Sequence, residues 1–211
     1  MRILEIVEAP DKTAVFAFGR MNPITIGHQK IIDTIKQQNG DPFLFLTHTQ
    51  NNQKDPLNFA QKKMYATNFF QGVTVGDDNV RTIIDAMKKL ESMGYNKIIY
   101  VAGSDRVESF NDLLNKYNGA DYNFDSIDIV SAGERDPEVD GARGMSASKM
   151  RDFAARGDLQ TFINNVPGEK KLATKMYMDV RKAMGYEAVQ KKPQPMGLSL
   201  IHISRAHETL S

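Results

Sequence analysis

Two stretches, far apart in the chain, combine residue types that can hold phosphate. The first is Gly19-Arg20-Met21-Asn22-Pro23-Ile24-Thr25-Ile26-Gly27-His28. A helix start offers unpaired backbone N–H groups and the positive end of a dipole, so an anion placed there is held without a buried cation. Gly19 and Gly27 permit close approach of the backbone. Thr25 and His28 stand at a spacing that, in the turn entering a helix, aims a hydroxyl and an imidazole at one anion. Arg20 and Asn22, in the same turn, are counted with them as nucleotide-binding candidates. The second stretch is Gly144-Met145-Ser146-Ala147-Ser148-Lys149-Met150-Arg151. There Ser146 or Ser148 caps a helix while their hydroxyls face a phosphate, with Lys149 adjacent and Arg151 on the face of Ser148. Each stretch alone also has an ordinary reading: Gly and Pro make turns, Thr and Ser cap helices, and Lys149 and Arg151 are solvated. The first is neither a Walker phosphate loop, since no Gly-Lys-Ser/Thr follows, nor a Gly-x-Gly-x-x-Gly dinucleotide fingerprint.

The elements around these stretches give them a context. Short runs rich in β-branched and aromatic residues at Ala14–Phe18, Phe43–Thr47, Lys97–Ala102 and Ser126–Ser131 suit buried strands. Helical spacing occupies Gln29–Gln38, Asn58–Phe70, Val80–Gly94 and Val107–Tyr117 between and after them. This alternation predicts an α/β fold with a parallel sheet, right-handed crossovers, and ligands at the carboxyl ends of the strands. After a polar loop from Gly133 to Gly144, a short helix opens near Ser146 and another spans Leu159–Asn164. Leu172, Met176, Val180 and Met184 recur every fourth residue, an apolar stripe that docks a last helix on the domain. We therefore expect one domain over residues 1–187, with C-terminal helices packed on the sheet, and a linker and tail over 188–211. Leu198–Ser204 resembles a translated sequencing-library adapter, so His202 and His207 are given no role.

Composition removes other classes. The 211 residues, 41% of them hydrophobic, suffice for a real core. With 27 Lys+Arg against 26 Asp+Glu the formal charge is +1, so no global field announces a nucleic acid or a membrane. No cysteine is present, which removes thiolate catalysis, disulfides and zinc-thiolate sites. Met1–Lys12 has no apolar run suited to a signal sequence and no stretch is long enough to span a membrane, so a cytoplasmic protein is expected. Oligomeric state is not legible.

The two stretches resemble the motifs of a nucleotidyltransferase superfamily with a cytidylyltransferase-like, Rossmann-like fold. Thr25-Ile26-Gly27-His28 matches the (H/T)-x-G-H motif in its Thr form, which resembles phosphopantetheine adenylyltransferases. Gly144–Arg151 is similar to the I-S-S-T-x-x-R motif, with Met145 for Ile, Ala147 for the middle Ser, Ser148 for Thr, and Arg151 identical. Cytidylyltransferases of this superfamily typically carry R-T-x-G-I-S-T-T without the final Arg, so Arg151 tilts the nucleotide toward ATP. Lys54-Asp55-Pro56-Leu57-Asn58-Phe59 resembles the acceptor loop of nicotinamide-nucleotide adenylyltransferases, making Lys54 the acceptor-phosphate candidate. Gly103 and Asp105, in Ala102-Gly103-Ser104-Asp105, resemble a G-x-D element that contacts nucleotide or acceptor, although Asp105 equally suits a helix cap. The Gly141–Arg151 stretch also resembles phage-encoded members.

The resemblance implies transfer of AMP from ATP to a small phosphorylated acceptor with release of pyrophosphate. An acceptor phosphate is already an anion, so attack on the α-phosphorus requires neither a general base nor a covalent intermediate. His28 would stabilise charge on the α- and β-phosphates, Thr25 would orient them, and Arg151 with Ser146 and Ser148 would hold the leaving pyrophosphate. Mg²⁺ would arrive with the nucleotide, because no carboxylate cluster stands beside either motif. Nicotinamide mononucleotide is the first acceptor expected and phosphopantetheine the next. The alternatives are a cytidylyltransferase using CTP and a non-catalytic nucleotide sensor, for which Ala147 is the hint.

Overall fold

The computed structural model describes residues 11–133 and 145–186. Five strands lie in one parallel sheet: β1 (Thr13–Gly19), β2 (Asp41–Leu46), β3 (Thr74–Val75), β4 (Lys97–Ala102) and β5 (Ser126–Ser131). The spatial order is β3-β2-β1-β4-β5. Among the described residues the helices are α1 (Ile26–Gln37), α2 (Phe59–Phe69), α3 (Ile83–Ser92), α4 (Val107–Tyr117), α5 (Ala147–Arg156), α6 (Leu159–Asn164) and α7 (Lys170–Ala183), with a 3₁₀ turn at Ser104–Arg106. This is the α/β, Rossmann-like architecture expected from the alternation of strand and helix. The expected second unit, 188–211, lies outside the described residues.

The period-two geometry of a strand sorts its side chains to two faces. Val15 and Ala17 of β1 join a core with Leu44 and Leu46 of β2, packed against α1, α2, α5, α6 and α7. Ala14 and Phe16 point the other way, into a core with Phe43, Phe45, Ile98 and Tyr100 against α3 and α4. Both faces of the sheet are thus covered, which is why its strands read as continuous apolar runs. Thr74–Val75 was not expected as a strand, since two residues pairing only with Phe43 and Leu44 at the sheet edge carry too little pattern.

Helix boundaries follow caps more closely than apolar spacing. Thr25, Asn58 and Thr82 each close a capping box, so α1 begins a turn before the expected Gln29, and α3 begins after the expected Val80. Gly157, at φ +80°, ends α5 in the left-handed conformation that costs glycine least. The stripe on α7 is buried as expected: Met176 and Val180 are fully buried, and Leu172 and Met184 pack on the same core. Tyr65 of α2 donates to Asp179 at 2.6 Å, and Arg181 donates to the Ala154 carbonyl, tying α7 to α2 and α5.

The chain turns from building one side of the sheet to building the other between β1 and β4, which are neighbours. In such sheets the crevice for ligands lies outside the carboxyl ends of the strands at this switch. Gly19 ends β1 and Gly103 follows β4, so the first motif and the Gly103 turn both leave the sheet at this switch. Met176→Ala should cost about 2–5 kcal/mol by leaving a cavity beneath α7. A urea unfolding midpoint unchanged from wild type would show that α7 is not part of the cooperative core.

Candidate active site

The turn from β1 into α1 carries strain. Met21 has φ +46°, a conformation a side-chain-bearing residue seldom adopts. Its effect is to send neighbouring residues to opposite surroundings. Arg20 is exposed, whereas Met21 and Asn22 are buried. Both ends of the Asn22 amide are engaged: its Nδ2 donates to the Leu57 carbonyl at 2.8 Å, and its Oδ1 accepts from the Leu57 N–H at 3.0 Å. The Asn22 side chain therefore pins the Lys54–Asn58 segment against the first motif.

At the start of α1, Thr25 and His28 do come together. The Thr25 backbone N–H donates to His28 Nδ1 at 3.0 Å, and the Gly27 N–H donates to Thr25 Oγ1 at 3.2 Å. Because a backbone N–H can only donate, Nδ1 must accept, and a neutral His28 ring carries its proton on Nε2. The cap thus selects the tautomer. The Ile26 N–H donates to the Asn165 carbonyl at 3.0 Å and the His28 N–H to the Thr25 carbonyl at 2.9 Å. The first three N–H groups of α1 therefore already have protein acceptors, contrary to the simple picture of an open helix end. An anion here would be met by side chains and the helix dipole.

The second motif is joined to the first at two points. The Thr25 hydroxyl donates to the Met145 carbonyl at 3.3 Å, and Arg151 Nη1 donates to the Asn22 carbonyl at 2.8 Å. Ser146 is the N-cap of α5, its hydroxyl accepting from the Lys149 N–H at 3.2 Å. Ser148 is exposed, Lys149 and Arg151 are half-buried, and Gly144 lies outside the described residues. Burial pulls the Arg151 guanidinium below the ordinary arginine value, opposed by the charge of Asp55 and reinforced by that of Arg20.

Charge concentrates around Asp55. Its buried carboxylate lies 3.9 Å from the exposed Arg20 guanidinium and also acts electrostatically on Arg151 and Lys62. Three cations therefore share this one carboxylate in their electrostatic surroundings. Lys54 sits instead on an exposed turn: Asn51 and Asp55 exchange backbone bonds of 2.9 and 2.8 Å, and the Asn51 side chain accepts from the N–H groups of Gln53 and Lys54. Lys62, fully buried on α2, was not singled out from the sequence, where a lysine between Gln61 and Lys63 reads as solvated. Across the switch, Gly103 is buried, and Asp105 is exposed and pairs with Arg106 at 3.7 Å. No hydrogen bond among the described residues links Asp105 to Thr25, His28 or Arg151. No group of acidic or His residues among the described residues could hold a metal on its own.

The parallel sheet in the order β3-β2-β1-β4-β5, with helices on both faces, is a Rossmann-like α/β fold. Solved structures described as nicotinate-nucleotide adenylyltransferases share this fold. One is the nicotinic acid mononucleotide adenylyltransferase of Plasmodium falciparum, in complex with NaAD, at a TM-score of 0.54 and 13% identity, matching 82% of this chain and 97% of that one. Another is a protein assigned as a nicotinate-nucleotide adenylyltransferase from Vibrio parahaemolyticus, at 0.51 and 14%, matching 78% and 98%. At such identities the likeness establishes the fold. Neither a protein-family model nor a curated protein matches the sequence. No helix among the described residues is long and apolar enough to cross a membrane.

Asn22→Ala should destabilise the protein by about 2–4 kcal/mol, because both backbone groups of buried Leu57 lose their partner. Arg20→Ala, which removes only a solvent-screened ion pair, should change stability by less than about 1 kcal/mol. Thermal denaturation of the two variants side by side checks the contrast, and equal effects would contradict it.

Proposed function

We propose that the protein is an adenylyltransferase that passes AMP from MgATP to a small phosphorylated acceptor and releases pyrophosphate. The observation that carries this reading is the pair of cross-motif bonds, Thr25 to Met145 and Arg151 to Asn22, which draw a hydroxyl, an imidazole and a guanidinium to one end of the sheet. Asp55, shared by Arg20, Lys62 and Arg151, leaves a local excess of positive charge suited to phosphates. The overall charge of +1 makes that excess a property of the site and not of the whole surface.

In this reading His28 is a donor and not a base. The capping bond makes Nε2 the protonated nitrogen of a neutral ring, and this reading assigns that N–H to charge on the α- and β-phosphates. Thr25 fixes the ring and the second motif together, so its contribution is one of orientation. Arg151, with Ser146, Ser148 and Lys149, holds the departing pyrophosphate at the start of α5, where the helix dipole favours an anion. The acceptor phosphate attacks the α-phosphorus in line, and the bond from that phosphorus to the β-phosphate bridge oxygen breaks. Mg²⁺ carried in with the nucleotide would supply charge neutralisation at the phosphate oxygens.

The acceptor is a pyridine mononucleotide, with phosphopantetheine as the second choice. The fold shared with nicotinate-nucleotide adenylyltransferases supports the first, and the Thr at the head of the first motif favours the second. Gly103 and the 54–58 segment flank the crevice where an acceptor would sit. Pyrophosphate release should require ATP together with nicotinamide or nicotinic acid mononucleotide, and CTP should not replace ATP. His28→Ala should raise the barrier by about 3 kcal/mol, slowing turnover roughly 10²- to 10³-fold. A loss of less than tenfold would remove His28 from the chemistry, and ATP binding without turnover on any acceptor would turn the reading to a nucleotide sensor.

A further inference from the structure

The β2–α2 connection holds a buried cation that the reaction described above does not use. Lys62 is fully buried, and its Nζ donates to the Thr47 carbonyl at 2.6 Å, the Thr49 carbonyl at 3.2 Å and the Thr47 hydroxyl at 3.3 Å. All three ammonium hydrogens therefore have an acceptor. Between the two carbonyls lies His48, whose ring stacks on Phe59 with centroids 3.8 Å apart. His48 Nε2 is buried and has no hydrogen-bond partner among the described residues. The segment is fastened on its other side as well, since the Thr47 N–H donates to the carbonyl of Gly19 at the end of β1. Three consecutive residues at the carboxyl end of β2 are thus held by a lysine, an aromatic ring and the first motif.

Burying an ammonium is expensive, and a well-packed apolar side chain would do the structural task without that cost. The charge is of use where an anion must be held close by. Asp55 and Arg20 face Lys62 electrostatically, the carboxylate favouring its charge and the guanidinium opposing it. With Asp55 already drawn to Arg20, the field at this end of β2 is complementary to a phosphate that has no other counter-ion.

We infer that Lys62 is a positioning residue for the acceptor: it fixes Thr47–Thr49 as one wall of the crevice and lends that wall a buried positive charge for the acceptor phosphate. The inference rests on the acceptor reading given above. Burial lowers the Lys62 pKa to about 8, so its charge is lost just above neutral pH. Loss of that charge would remove the attraction of this wall for a phosphate, so acceptor affinity should fall as pH rises through that range. The same shift has a defined sign for stability. Between about 8 and 10.5 the unfolded chain keeps a proton that the folded chain has shed, so Lys62 makes folding more favourable as pH rises through that window.

The test is calorimetric binding of nicotinic acid mononucleotide, and separately of MgATP, to the full chain and to Lys62→Met and Lys62→Arg. Lys62→Met should weaken the mononucleotide by about 10-fold or more, with MgATP altered less than about threefold, and Lys62→Arg should recover part of the loss. Wild-type affinity for the mononucleotide should fall as pH rises from 7 to 9, and the fall should be absent in Lys62→Arg. The wild-type titration stands by itself if Lys62→Met does not fold. Mononucleotide binding by wild type that is flat across this range, or equal in Lys62→Met, overturns the inference and leaves the acceptor reading intact. Absence of mononucleotide binding by a wild type that still binds MgATP overturns the acceptor reading, and this inference with it.

Discussion

The bond from Arg151 to the carbonyl of Asn22 is the contact on which the arrangement of the site depends. Asn22 has three tasks at once. Its carbonyl receives the second motif, its amide grips Leu57 through two bonds, and its backbone leaves the strained Met21 to enter the cap of α1. Because Asn22 is buried, none of these groups can exchange its partner for water without cost. A single residue, through its backbone carbonyl and its side-chain amide, therefore ties together the α1 start, the segment before α2 and the α5 start.

The rest of the fold is arranged to hold that junction still. β1 brings Gly19 to the switch between the halves of the sheet, with β2 and β4 on either side of it. The Asn165 carbonyl, at the end of α6, takes the first N–H of α1, so the C-terminal helices act on the same turn that carries Thr25 and His28. α7 secures α5 through Arg181 and α2 through Asp179. The apolar core on that face is continuous from Val15 to Val180, so the position of Arg151 depends on the packing of helices well beyond the crevice.

Much of this could be read from residue type and spacing because its causes are local. Thr25, Asn58, Thr82 and Ser146 are cap residues, and caps are chemistry between neighbours in sequence. Thr25 and His28 meet for the same reason, since they stand three apart in the turn that opens α1. What stayed hidden is long-range. No pattern within the first motif shows that the Asn22 amide will be occupied by Leu57, or that Asp55 rather than Lys54 will face the cations. Lys62 looks like any polar position on a surface helix, because its burial is decided by the path of Thr47–Thr49 and not by its neighbours. β3 was missed because two residues at an edge have no period to detect.

The central claim is that the two motifs form one site through the Asn22 junction, and a double-mutant cycle tests it most directly. Arg151→Lys keeps the charge but replaces the guanidinium that reaches the Asn22 carbonyl, and Thr25→Val removes the hydroxyl that reaches Met145. Rates of pyrophosphate release from MgATP and nicotinic acid mononucleotide would be measured for wild type, both single variants and the double variant. The account predicts that the double variant is slowed markedly less than the product of the single effects, with a coupling of about 1 kcal/mol or more. Strictly multiplicative effects would mean that the motifs act independently and would contradict it.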